Sequence, residues 1–135
     1  MPLTSDRDTK ESDGRRVPAG LAAATKIFGG SLVALNAAGY AVPGSASTTL
    51  KSAGRADSAV DNSTGAAGDK QVVIEKGTFL FNNSTSTDLI TIADRGNDCY
   101  IVDDQTVAKT NGTNTRSIAG KIHDVTSQGV WVKFA

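Results

Sequence analysis

The sequence predicts an all-β domain preceded by a charged, extended N-terminal arm, and three observations carry that expectation. Apolar residues come in short runs or alternate with polar ones, as where Val130, Val132 and Phe134 alternate with Trp131 and Lys133. Those runs are separated by Gly-, Asn- and Asp-containing turns at short spacing, the pattern of a small barrel or sandwich of short antiparallel strands. Finally, eight of the thirteen residues in "TSDRDTKESDGRR" (4–16) are charged and none is a large apolar residue. Such a stretch buries too little surface to offset its ordering entropy. The expected organisation is therefore an arm over 1–16 and a β domain over 17–135.

From Val17 onward the segments follow in order. "GLAAATK" has Ala-rich helical propensity, but Gly20 and Gly29 confine it to a marginal length, so extended chain is expected. "SLVALNAAGYAVPGS" (31–45) predicts a hairpin of Leu32–Leu35 and Tyr40–Val42. Gly39 supplies the left-handed turn residue, and Pro43 ends the second strand by removing a ladder donor. "QVVIEKGTFLF" predicts a second hairpin, with Val72 and Ile74 on one face, Lys76-Gly77 as the turn, and Phe79 and Phe81 on one face. "CYIVDDQTVAKT" gives strands at 99–102 and around 106–109, broken at Asp103-Asp104. "KIHDVTSQGVWVKF" predicts a closing hairpin that echoes the opening one, with Gly129 in the place of Gly39. "TDLITIADRG" suggests one helical turn, with Thr87 or Asp88 as cap and Gly96 as stop. The stretches 44–49, 61–69 and 110–116 are small and polar, and read as loops.

The composition excludes several function classes. Fourteen basic and fourteen acidic residues leave no net charge over 135 residues, so the basic stripe of a nucleic-acid binder is missing. The uncharged run from Ile27 to Leu50 is too polar and too broken by Pro43 and glycines to span a bilayer. The opening "MPLTSDRDTK" does not read as a secretory signal. A single cysteine, Cys99, allows no intrachain disulfide and reads as a packed strand residue in a chain made in a reducing compartment.

Catalytic sets are missing as well. One histidine, His123, supports neither a Ser-His-Asp relay nor a His-based zinc site. Asp103 and Asp104 read as turn residues, since strand neighbours point to opposite faces. The run from Asp94 to Asp98 lacks the alternating ligands of a calcium loop. No phosphate-binding or dinucleotide-binding glycine motif occurs. The expectation is a protein without enzymatic activity or cofactor, whose strands and surfaces are its function. Most aromatics fall on strands as core. Trp131, opposite the Val130/Val132/Phe134 face, is the expected interface anchor.

Four segments, "GGSLVALNAAGYAVPG", "VVIEKGTFLF", "ITIADRGNDCYIVDDQTVAKT" and "AGKIHDVTSQGVWVKF", taken in order across residues 17–135, resemble the capsid decoration, or cement, proteins of tailed phages. The resemblance implies a barrel-like body of the β-tulip or SH3-like kind on the exterior of the virion, in a protein made in the host bacterial cytoplasm. Its implied partner is the phage major capsid protein, whose lattice it stabilises. It implies a homo-oligomer, a trimer before a dimer, with no nucleic acid and no membrane. The arm would order against capsid subunits, making Asp6, Arg7, Asp8, Lys10, Arg15 and Arg16 interface candidates beside Trp131. Two other readings compete with it. A carbohydrate- or receptor-binding β module, similar to a head fibre, requires an exposed aromatic cluster. A metal-assisted hydrolase would have to use Asp94, Asp98, Asp103 and Asp104.

Overall fold

The computed structural model describes residues 1–135 and is all-β, a sandwich rather than the barrel that the sequence also allowed. Its strands are β1 (Arg16–Gly20), β2 (Thr25–Ile27), β3 (Leu32–Leu35), β4 (Ala41–Pro43), β5 (Lys51–Ala56) and β6 (Val60–Asn62). They continue as β7 (Gln71–Glu75), β8 (Gly77–Phe81), β9 (Asp98–Ile101), β10 (Val107–Ala108), β11 (Ile118–Thr126) and β12 (Gly129–Phe134). One antiparallel sheet has the order β1-β7-β5-β3-β4, the second has the order β10-β9-β11-β12-β8, and β2 pairs with β6 in a separate ribbon. The first strand begins at Arg16.

The layers explain why β3 reads "LVAL", an unbroken apolar run where alternation would mark a half-buried strand. Leu32 and Ala34 enter the core between the two sheets, with Phe81, Ile101, Val107, Ile122, Val130 and Val132. Val33 faces the other way, into a second core with Leu21, Ile27, Ala53, Val72 and Ile74. The second core lies against the β2–β6 ribbon, so β3 is buried on both faces and has no use for polar residues. Ala41 on β4 and Ala53 and Ala56 on β5 supply the small side chains of the second core.

The opening hairpin forms as expected. Leu35 opposes Ala41, Gly39 has φ +91°, and Pro43 is the last residue of β4. Asn36 organises the turn: its Oδ1 accepts from the Ala38 and Tyr40 amides, both at 3.0 Å. The closing hairpin is built differently. Thr126 opposes Gly129 across the two-residue turn Ser127-Gln128, so Gly129 is the first residue of β12 and does not play the part of Gly39. The similarity between the two segments is one of composition and not of turn geometry.

The second expected hairpin does not exist. β7 and β8 belong to different sheets, and only Lys76 separates them. One residue is too few to close a hairpin loop, so the chain crosses from one layer to the other. Val72 and Ile74 enter the second core, whereas Phe81 enters the first and Phe79 packs against it. Around 86–94 the single helical turn becomes two 3-10 turns, Ser86–Asp88 and Ile92–Asp94, with Thr85 and Thr91 rather than Thr87 or Asp88 at the N-cap positions. Gly96, at φ +90°, follows the second turn as expected.

Candidate interaction surfaces

The charged arm is exposed along its whole length, including the candidates Asp6, Arg7, Asp8, Lys10 and Arg15. Its hydrogen bonds are local: Thr9 N donates to Arg7 O, Gly14 N to Ser12 Oγ, and Arg15 N to Asp13 Oδ1. The first bond to the body comes at its end, where Lys76 N donates to Arg15 O at 2.7 Å. Arg16 is already structural. It opposes Glu75 across β1 and β7, and its Nη2 lies 3.3 Å from Glu75 Oε2. Arg55 holds the other oxygen of that carboxylate at 2.5 Å and stacks over the Phe79 ring at 4.3 Å. The Arg55 hydrogen bond, with the two guanidinium charges, holds the Glu75 carboxyl below its ordinary range. This cluster seals the junction where the chain crosses between sheets. The sequence showed its charges but not their convergence, because residues 16, 55 and 75 meet only through sheet register.

Trp131 points out of the sandwich, since Val130 and Val132 fill the core on either side of it. It is half-buried, and shares a shallow hollow with Thr78, His123 and Asp124. Leu80 is its cross-strand neighbour on β8 and is 36% exposed. No hydrogen bond or ion pair joins the arm to these residues, so the predicted interface candidates form two separate surfaces.

A further surface went unread in the sequence. Phe28, expected in the core, is 58% exposed. With Leu80, Asn82, Asp104 and Gln105 it lines an open hollow of about 520 Å³ at one end of the sandwich. Lys26 Nζ lies 5.0 Å from the Phe28 ring centroid. The available signal was the Gly29-Gly30 pair directly after Phe28, which turns the chain before the ring reaches the core.

Of the four carboxylates a metal-assisted hydrolase would have to use, Asp94, Asp98 and Asp103 have other engagements, and the Asp104 side chain has no hydrogen-bond or ion-pair partner. Asp94 accepts from Thr91 N at 2.8 Å and pairs with Lys109 at 3.6 Å, and the Thr91 amide is the main cause of its lowered pKa. Asp98 pairs with Lys121 at 2.7 Å. Asp103 Oδ1 accepts from Gln105 N at 3.0 Å within the β9–β10 turn. Asp88 pairs with Arg116 at 3.3 Å and accepts from Thr110 Oγ1, the bond that chiefly lowers its pKa. No group of three or more His, Cys, Asp or Glu side chains is gathered as a metal site, and no helix is long and apolar enough to cross a membrane. Comparison with protein-family models, curated proteins and solved structures gives no match.

Proposed function

We propose that this protein is a tailed-phage capsid decoration protein, which binds the exterior of the head and stabilises the lattice of the major capsid protein. The observation that carries the reading is the contrast between its two parts. Residues 1–14 make no hydrogen bond or ion pair to the body, although six of the eleven residues 4–14 are charged, with the two signs interleaved. A compact sandwich with an unengaged arm suits a partner that presents charges of both signs along an extended track. Fully extended, fifteen residues reach about 50 Å, enough to cross onto a neighbouring subunit. Contacts by arm and body on different subunits then combine through multivalency, and the arm's ordering is offset by the surface it covers.

The test is cosedimentation of the purified protein with expanded phage heads that lack it. Saturable binding supports the reading, and failure to bind expanded heads of its own phage overturns it. The hollow around Phe28 supports a second reading, a carbohydrate- or receptor-binding module on the virion. An exposed ring beside Asn82, Asp104 and Gln105 combines a stacking face with amide and carboxylate partners for hydroxyl groups. On that reading the isolated protein binds glycans, and Phe28→Ala abolishes the binding.

A further inference from the structure

Four edges bound the two large sheets; the chain itself covers two of them, β4 and β10, and a proline blunts a third, β1. At β1, Val73 O accepts from Asp57 N at 2.9 Å, away from β1, so its neighbour Pro18 turns its backbone outward. Proline has no N–H to offer there, which blunts the edge. At β4, Ala41 O accepts from Ala22 N at 3.1 Å, and Pro43 again lacks a donor. At β10, Val107 N donates to Asn82 O at 3.0 Å and Val107 O accepts from Ser84 Oγ at 2.8 Å. β8 has no such cover.

Two independent features fix which backbone groups of β8 are open. In the two-residue hairpin of β11 and β12, Thr126 and Gly129 form the bonded pair, so Val130 turns its backbone toward β8, opposite Phe81. Asn82, one residue on, bonds in the other direction, its N–H to Gln105 O at 2.8 Å. Both place the N–H and C=O of Thr78 and Leu80 on the free side of the strand. Neither residue appears in any turn, loop or cap hydrogen bond.

We propose that β8 pairs with β8 of a second copy, antiparallel about a two-fold axis at Phe79, joining the two five-stranded sheets edge to edge. The open residues stand symmetrically about Phe79, so Thr78 of each copy faces Leu80 of the other and every open N–H meets an open C=O. The Leu80 side chains become diagonal neighbours across the axis, each flanked by its own Trp131. The open lane ends at Lys76, whose N–H donates to Arg15 O, and at Asn82, whose N–H donates to Gln105 O, so the pairing is confined to residues 78–80. The axis then brings the Arg15 end of each copy toward the Asp103-Asp104 turn of the other. Arg15, Asp103 and Asp104 make no ion pair within their own chain, whereas the Lys76 ammonium is held by the Ala53 and Ala135 oxygens at 3.4 and 3.2 Å. The axis brings basic end to acidic end twice. An edge pairs antiparallel with itself only through a two-fold, which favours the dimer over the trimer that the family resemblance put first.

The pairing concerns the free protein and does not rest on what the body binds. Sedimentation equilibrium of the full chain, up to about 100 µM to reach the range of a small interface, tests it. The wild type is expected to show a monomer–dimer equilibrium. Leu80→Lys and Thr78→Pro weaken it at least tenfold, and Leu80→Lys leaves the thermal midpoint unchanged. Asp104→Lys weakens association as well, and adding Arg15→Glu restores it. A monomer throughout, a trimer, a dimer untouched by Leu80→Lys, or a dimer abolished by deleting residues 2–14 overturns the proposal.

Discussion

Burial pushes the Cys99 thiol up to about 12, and its S–H donates to the Gly120 carbonyl 3.6 Å away, inside the core between the sheets. The thiolate is the reactive form, so Cys99 in the native protein should resist thiol reagents at pH 8 and label fully once denaturant unfolds the chain. Rapid native labelling would show that β9 opens locally. Trp131 follows the opposite logic, because Val130 and Val132 already occupy the core beneath its strand. On the decoration reading, Trp131→Ala should cost about 2 kcal/mol of head binding, the usual scale for an interface Trp. Its melting temperature should stay close to wild type. Measuring head occupancy and melting on the same variant separates an anchor from a structural residue, and a collapsed midpoint with unchanged occupancy retires the anchor. Both residues were legible in the sequence, because period-two alternation fixes inside and outside in a regular strand. Phe28 was not legible, since it lies one residue past the end of β2 where alternation no longer governs.

β3 shows how an element carries information beyond its residues. Leu32 and Val33 are both fully buried but serve different cores, so β3 couples the two halves of the hydrophobic interior. Leu32→Ala should destabilise by about 2–5 kcal/mol, read as a lower midpoint in urea with the slope retained. A loss below about 1 kcal/mol would mean that the layer repacks freely. The β3–β4 hairpin was readable because Asn36, Gly39 and Pro43 each act within a few residues. The crossing from β7 to β8 was not, since Lys76-Gly77 resembles a turn until the pairing partners of both strands are known. The 86–94 segment depends on long-range partners in the same way, through Asp88 with Arg116 and Asp94 with Lys109. Hydrogen bonds to the charged forms lower both carboxyl pKa values in the fold. Depressed carboxyls stabilise the fold above their unfolded values near 4 and lose that contribution as pH falls through the lower, folded values. The melting temperature should therefore drop below about pH 4, and Asp94→Asn should make that drop shallower. An acid profile identical in variant and wild type would remove Asp94 from this account.

The whole molecule divides into a body held by two cores and an arm held by nothing in its own chain. The body's layering was only partly legible, because the β2–β6 ribbon joins residues 25–27 to 60–62 by register alone. The exposure of residues 1–14 was legible from composition, since charge without apolar anchors leaves a segment nothing to bury. Its boundary matters for any truncation: the Arg15 carbonyl receives the Lys76 amide and Arg16 pairs with Glu75, so both must stay. Deleting residues 2–14 should leave the melting temperature within about 2 °C of wild type, because surface changes remote from packed features alter stability little. On the decoration reading the same deletion should weaken head binding at least tenfold. It should also flatten the salt dependence of binding, since the arm carries Asp6, Arg7, Asp8, Lys10, Glu11 and Asp13 and exposed charges are screened within about 10 Å at 0.1 M salt. Equal binding by full chain and truncation, at low and high salt, would confine recognition to the body. Loss of the fold would instead make the arm part of the core, against its full exposure.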